Sequence, residues 1–359
     1  MSRASAARRA TINDVAQAAA VSRQTVSNVL NRPHLVRAQT LERVRLEVER
    51  LGYRPSQAAQ GMRSQRAGAV GIELNAVHRG ASDVAQLFLT ELTVAAPRFD
   101  VHLVPFADAG TFPAVDGYRD MVRRRLVDAF VLSDTHVGDT RPGWLLDSGI
   151  PFAAFGRIYD QPDLTCWADV DGAAGTTQAV EHLHARGYRT VAYLGWPHGQ
   201  PASAVADARR EGWRRTAGSL GTLGPESACE QDLADAALAA GALLDQLQPG
   251  DAVVCASDLL ALGVVYAASA RRWRIGPDLG VVGFDGSLTA SRHALTTVQQ
   301  PLADIAAAVL RRITDQLTGG ADDPSGQLLV PTLTPGPSTD RSTATAYIPL
   351  PAPEQDHRR

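Results

Sequence analysis

Residues 11–31 read TINDVAQAAAVSRQTVSNVLN, and the spacing of their apolar side chains predicts two short helices joined by a tight turn. Thr11 followed by Asp14 has the form of a capping box, with Ile12, Val15, Ala16 and Ala19 recurring behind it at helical spacing. After the turn at Ala19-Ala20-Val21, Ser22 suits the N-cap of a second helix whose Val26, Val29 and Leu30 face inward. Arg23, Gln24, Thr25, Ser27 and Asn28 are left on outward or flanking positions. Arginine and glutamine at the start of such a helix suit the major groove of DNA, because Arg bridges guanine O6 and N7 while Gln pairs with adenine N6 and N7. A third helix is predicted from about Thr40 to Leu51, stopping at Gly52, with Leu41, Val44, Val48 and Leu51 closing a three-helix core.

Charge sets this segment apart. Residues 1–66 carry 12 arginines against 4 acids, a net +8, whereas the other 23 arginines and 34 acids give −11. A basic module gains affinity for a polyanion by releasing condensed counterions, and an acidic body stays off the duplex. At 359 residues, 45% apolar and 20% charged, the chain accommodates a small module and a larger, bilobal body. No apolar run approaches the roughly 20 residues that span a bilayer. MSRASAARRA at residues 1–10 leads into amphipathic sequence, not into a signal peptide's apolar core, so the expected location is the cytoplasm.

Little in the chain speaks for catalysis. Cys166, Cys229 and Cys255 lie far apart with no CxxC pair, which suggests neither a disulfide framework nor a zinc site. GxSxG, HExxH and GxGxxG are absent, and a chain without lysine has no Walker loop. His182 and His184 are two apart, on different faces of a helix, and Cys255 sits inside an apolar run. The expectation is therefore no catalytic residue, no metal and no cofactor.

From residue 69 onward, β-branched or apolar runs alternate with helical stretches: AVGIEL (69–74), VHLVPFA (101–107), DAFVLSD (128–134), PFAAFG (151–156), TVAYLGW (190–196), DAVVCASD (251–258) and LGVVGFDG (279–286). This pattern predicts an α/β body of parallel sheets wrapped by helices. Ligands of open α/β sheets bind outside the carboxyl ends of the strands. Those ends supply Asn75, Gly156-Arg157, Trp196, Ser257-Asp258 and Asp285.

The N-terminal pattern DVAxxAxVSxxTVSxVLN, then TxxRVxxxxxxLGYxP, resembles the DNA-binding headpiece of the LacI/GalR family of bacterial repressors over about fifty residues. The resemblance implies that Arg23 and Gln24 read bases, with Thr11, Ser22, Thr25, Ser27, Asn28 and Asn31 completing the DNA-contacting set. Ala20 departs from the family's usual glycine, a change that costs something only if the turn needs a positive φ. Residues 55–67 take the place of the family's hinge helix, where Ala59 and Met62 join the DNA contacts and Met62 matches the apolar wedge of the minor groove. Gly61 beside it disfavours helix.

For the body, the resemblance implies two lobes similar to periplasmic sugar-binding proteins, with crossings near residues 167–170, 297–300 and 326–328. The expected organisation is a headpiece at 1–54, a hinge at 55–67, a body at 68–343 and a flexible tail at 344–359. Within the body the N-terminal subdomain takes 68–168 and 299–326, the C-terminal subdomain 169–298 and 327–343. Arg209 in DARREGW and Asp285 in VVGFDGS match the family's effector-binding arginine and aspartate, and Gln300 completes the candidate pocket with Asn75, Arg157, Trp196, Ser257 and Asp258. Each has a plainer alternative: Asp285 as a turn cap, Arg209 in a surface ion pair, Trp196 as core packing, Asp258 as a helix cap. Gly156 replaces an acid of some relatives, and Leu233 and Leu302 stand where some present an aromatic ring. A sugar-like effector is the expected class, with a purine or other non-sugar metabolite as the alternative and a sugar-binding protein without a regulatory role as a further one. The tail has three prolines and no leucine heptad, so a homodimer on near-palindromic double-stranded operator DNA is expected.

Overall fold

The structure, a computed structural model, describes residues 10–31, 33–53, 67–74, 83–107, 115–161, 163–197, 204–320 and 325–342. Nearly all of the hinge segment, with Ala59 and Met62, and also Asn75 and the tail at 344–359 lie outside the described residues. The chain forms two compact units, Met1–Gly68 and Ala69–Arg359.

The first unit packs α1 (Ile12–Ala18), α2 (Arg23–Asn31) and α3 (Ala38–Arg50) around Val15, Val26 and Val44, all fully buried. The capping box is formed: Thr11 N donates to Asp14 Oδ2 at 2.7 Å and Asp14 N to Thr11 Oγ1 at 3.4 Å. Ser22 Oγ accepts from Thr25 N at 3.0 Å and so satisfies an orphan donor of α2. α3 starts two residues before Thr40 and is closed by Gly52, whose φ of +59° turns the chain so that Tyr53 N reaches Val48 O at 3.0 Å. Ala20 adopts φ +50°. The turn between α1 and α2 therefore does demand the left-handed conformation, which crowds the alanine Cβ against the backbone.

The second unit begins β1 (Ala69–Glu73), α4 (Asp83–Ala95), β2 (His102–Phe106), α5 (Asp116–Arg123), β3 (Ala129–Leu132), α6 (Thr140–Asp147), β4 (Phe152–Phe155) and β5 (Trp167–Val170). It continues α7 (Gly172–Ala185), β6 (Val191–Gly195), α8 (Ala204–Ser219), β7 (Leu223–Ala228), α9 (Leu233–Leu244), β8 (Asp251–Cys255), α10 (Asp258–Ala270), β9 (Leu279–Asp285), α11 (Leu288–Arg292) and β10 (Thr296–Gln299). Then come α12 (Leu302–Thr318), β11 (Gln327–Leu329) and β12 (Thr332–Thr334). One sheet has the order β11-β5-β4-β3-β1-β2, all parallel. The other has the order β12-β10-β9-β8-β6-β7, parallel except that β12 runs antiparallel to β10. β8 and β9 are buried along their whole length, as strands covered by helices on both faces must be.

The chain passes between the sheets three times. It leaves the first sheet after Val170, and returns after Gln299 into α12, whose Ile305, Val309 and Ile313 pack with Phe88 and Leu92 of α4. The last passage falls between Leu329 and Thr332, later than the expected 326–328, because Gln327–Leu329 pair in parallel with Ala168–Val170. Residues 169–170 and 327–329 thus belong to the first sheet, not to the second subdomain. Pro331 sits at the change of sheet, where a missing N–H leaves no ladder bond unmade.

One close approach positions a side chain used below. A Cβ on Gly212 of α8 would run into Ala173 O and Thr176 Oγ1 of α7, so glycine lets the two helices meet. Trp213 then seals α8 to the sheet, its Nε1 donating to Val191 O at 2.9 Å while its ring stacks 5.2 Å from Tyr193. Arg209, one turn earlier, is carried to the end of the strands.

Replacing Ala20 with glycine should stabilise the helical unit by about 1 kcal/mol, since glycine occupies this φ without a Cβ penalty. Hydrogen exchange of the Val26 and Val44 amides in the full chain should slow accordingly. Unchanged protection would show that the turn imposes no strain.

Candidate functional site

On α2, Arg23 and Gln24 are exposed at the first two positions, with Thr25 and Asn28 half-buried behind them. Gln24 Nε2 donates to Asn28 Oδ1 at 3.1 Å. That contact leaves the Gln24 carbonyl oxygen and its second amide hydrogen, the acceptor and donor that match adenine N6–H and N7. Thr11 and Ser22 commit their hydroxyls to helix caps. Ser27 does not stand where the sequence reading put it: only 4% exposed, it lies on the buried flank beside Val26, where its small side chain fits. Asn31 closes α2, and its side chain lies outside the described residues.

In the second unit, strand order reverses between β1 and β3 in one sheet and between β6 and β8 in the other. Crevices form at such switch points. Trp196 follows β6, Ser257 and Asp258 follow β8, Asp285 ends β9 and Gln300 follows β10. Arg209 joins them from α8, its guanidinium 3.7 Å from the Phe284 ring centroid and 5.2 Å from that of Trp196. Its Nη1 donates to Ala256 O and lies 3.5 Å from Asp285 Oδ1. Gln300 Nε2 donates to the same carboxylate oxygen at 2.7 Å. Arg209, Asp285 and Gln300 are therefore one buried cluster.

The cluster is electrostatically and sterically costly. Burial, with a smaller push from the nearby Asp258, raises the Asp285 carboxyl to about 7 against the pull of Arg209. Asp285 also holds φ +125°, a backbone region that costs a side-chain-bearing residue on the order of 1–3 kcal/mol. Arg209 Nε and the Tyr193 hydroxyl are buried without a hydrogen bond among the described residues, each worth roughly 1–3 kcal/mol of lost solvation.

Two residues read as candidates stand behind this wall. Asp258, 1% exposed, accepts from Ser287 N at 2.8 Å and Thr297 Oγ1 at 2.6 Å, bracing the exits of β9 and β10. Ser257, fully buried, caps α10 by accepting from Leu260 N at 3.2 Å and donates to Gln231 Oε1 at 2.9 Å.

Across from them, Arg157 is exposed after β4, 5.7 Å from the Trp167 ring, and Gly156 before it takes φ +108°. Asp169 on β5 was not singled out from the sequence. Burial raises its carboxyl, and Arg157 and Arg209 both pull it down, so arginines from the two lobes share one carboxylate's field. Also unforeseen is a buried brace at the ends of β1 and β3. Arg141 reaches Glu73 at 2.8 Å and Asp139 at 2.8 Å, and the Tyr118 hydroxyl donates to Glu73 at 2.8 Å. Asp169 and Arg141 lie in runs with no motif, and only Glu73, at the end of the AVGIE strand, had a position that hinted at it. Among the described residues no group of His, Cys, Asp and Glu could hold a metal, and no helix is long and apolar enough to cross a membrane.

Asp285 makes stability depend on pH. Its folded value lies above the ordinary 3.8, so between the two the native state binds more protons than the unfolded chain. Its stabilising contribution is full below about 3.8 and is lost as pH rises through about 7. Wild type should lose thermal stability relative to Asp285→Asn across that window. Parallel melting profiles would rule out a buried, raised carboxyl.

Residues 11–56 match the model for bacterial regulatory proteins of the lacI family, and residues 180–339 match that for a periplasmic binding protein-like domain. The sucrose operon repressor of Pediococcus pentosaceus is 30% identical over 320 residues, 85% of this chain and 92% of that protein. The HTH-type transcriptional regulator CelR of Thermobifida fusca is 29% identical over 332 residues, 88% of this chain and 94% of that one. A solved complex of transcriptional regulator CelR with cellobiose is similar with a TM-score of 0.65 at 25% identity, covering 92% of this chain and 100% of the other. A three-helix unit that matches the lacI-family model, joined in one chain to a two-sheet body and matched along nearly its full length, places the protein in the lacI family of bacterial regulatory proteins: it is a DNA-binding transcriptional regulator and not an enzyme.

Proposed function

We propose that the protein is a dimeric, cytoplasmic repressor of carbohydrate uptake or catabolism genes, and that a small neutral sugar bound between its lobes sets its hold on a near-palindromic operator. The observation that carries this reading is the buried Arg209–Asp285–Gln300 cluster beside Trp196 at the switch point of the second sheet. A planar guanidinium and a carboxylate each engage two hydroxyls in fixed geometry, and an indole face covers the C–H face of a pyranose. The carboxylates Asp169 and Asp285 balance Arg157 and Arg209, which suits an uncharged ligand. Relatives named for cellobiose and sucrose systems favour the same class.

In this reading the sugar binds one angle of the lobes better than another. Only that difference in affinity can alter operator binding, and it acts in both directions. The segment at 55–67 passes the change to the DNA, with Met62 as the wedge in the minor groove.

Operator titration by fluorescence anisotropy, with and without glucose, cellobiose, sucrose and raffinose, should show an apparent Kd moved by about 5- to 150-fold by at least one of them. If none moves it and none raises the melting temperature, the sugar reading fails. Arg23→Ala should weaken specific binding by about 1 to 3 kcal/mol and relax preference at one guanine per half-site. Equal loss on every sequence would instead mark Arg23 as a phosphate contact.

A further inference from the structure

Three strand ends meet at the switch point of the second sheet, and one side chain ties them together. Gln231 lies in the short connection between β7 and α9, held on one side by Cys229 N donating to Gly195 O at 3.0 Å and on the other by the Asp232 cap of α9. Its Oε1 accepts from Trp196 Nε1 at 2.6 Å and from Ser257 Oγ at 2.9 Å. Trp196 follows β6 and Ser257 follows β8, so the amide spans the crevice where the strand order reverses.

The orientation of this amide follows from chemistry. The indole nitrogen can only donate, so the carbonyl oxygen must face it, because a flipped amide would set donor against donor. Both lone pairs of Oε1 are then occupied. Nε2 keeps two donors, makes no hydrogen bond among the described residues, and is not one of the buried polar atoms. Trp196, meanwhile, is held twice, at its N–H by Gln231 and across its ring by Arg209 at 5.2 Å.

We propose that Gln231 is a specificity-determining contact of the cleft. Its carbonyl oxygen fixes Trp196 as a stacking platform, and its amide nitrogen donates to a hydroxyl or ring oxygen of a pyranose lying on that platform. Such a donor-only edge accepts neutral hydroxylated ligands and disfavours a protonated amino sugar at the same place. Leu233, two residues on, has no ring to offer, so the aromatic surface comes from the end of β6 and needs the clamp to stay in place. This assignment rests on the sugar reading above.

The two halves of the proposal separate in Gln231→Glu. A carboxylate can still accept from Trp196 and Ser257, but it has no hydrogen to give. The measurements are sugar affinity by calorimetry with glucose, cellobiose, sucrose and raffinose, and the ligand-free emission of Trp196, isolated as the difference between each protein and its Trp196→Phe counterpart. Gln231→Glu should keep the Trp196 emission and bind the sugar recognised by wild type about tenfold more weakly. Gln231→Leu should lose a similar factor and also shift the emission, because the indole N–H is released. Wild-type affinity in Gln231→Glu would overturn the contact, and a shifted emission in that variant would overturn the clamp. If wild type binds none of the four sugars while Trp196 emission behaves as described, the sugar reading fails and the proposed contact falls with it.

Discussion

The second lobe is organised around a guanidinium and a carboxylate that have been taken out of water. Removing Arg209 and Asp285 from solvent carries a penalty of several kcal/mol per ion, which a pair 3.5 Å apart does not fully repay. The surrounding structure supplies the rest. Phe284 lies against the guanidinium face, Ala256 O takes one of its hydrogens, and Gln300 donates to the carboxylate. Glycines give the arginine room: Gly212 lets α8 close on α7, and a Cβ on Gly172 would sit only 3.0 Å from Arg209 Cγ. The φ of +125° at Asp285 and the unpartnered Nε of Arg209 remain as uncompensated costs. Stability given up at a strand end, in a fold where strand ends bind ligands, is what a preorganised site demands.

The crossings between sheets put that cluster in communication with the first lobe. β5 and β11 run side by side in the first sheet, and both lead directly into the second lobe, β5 through α7 and β11 through Pro331 to β12. Asp169 lies on β5 just before the passage and feels Arg157 from its own lobe and Arg209 from the other. Asp169 thus stands in the field of arginines from both lobes. The Glu73–Arg141–Asp139 brace ties together the ends of β1 and β3 in the first sheet.

The sequence made the apolar strands plain because β1, β3, β4, β6, β8 and β9 are buried and write continuous hydrophobic runs. β7 escaped notice because it is an edge strand, LGPESA, with no buried position and a proline that only an edge tolerates. β5 and β11 were hidden because neither writes a buried apolar run, WADV having one buried position and QLL none, and their pairing moved the last crossing. In the headpiece the caps at Thr11 and Ser22 were legible since they depend on spacing alone. The left-handed turn at Ala20 was not, because a φ angle cannot be read from an alanine. Ser27 was misplaced for a related reason: at 100° per residue it borders the buried stripe, and only packing decides which side it joins.

The same distinction runs through the candidate cleft. Asp285 and Trp196 could be located because each stands at the end of a recognisable strand, and Arg209 because its segment DARREGW resembles the family's effector-binding stretch. Gln231 could not, since its connection joins an unread edge strand to a helix and its role arises from two partners 35 and 26 residues away. Charged groups announce themselves in a sequence, whereas an amide acquires meaning only when its partners fix which end faces the ligand. Here the indole N–H performs that selection. The part of the cleft best placed to discriminate among uncharged ligands is thus the part composition and spacing say least about, because neutral ligands are told apart by the direction of hydrogen bonds and not by the sign of a field.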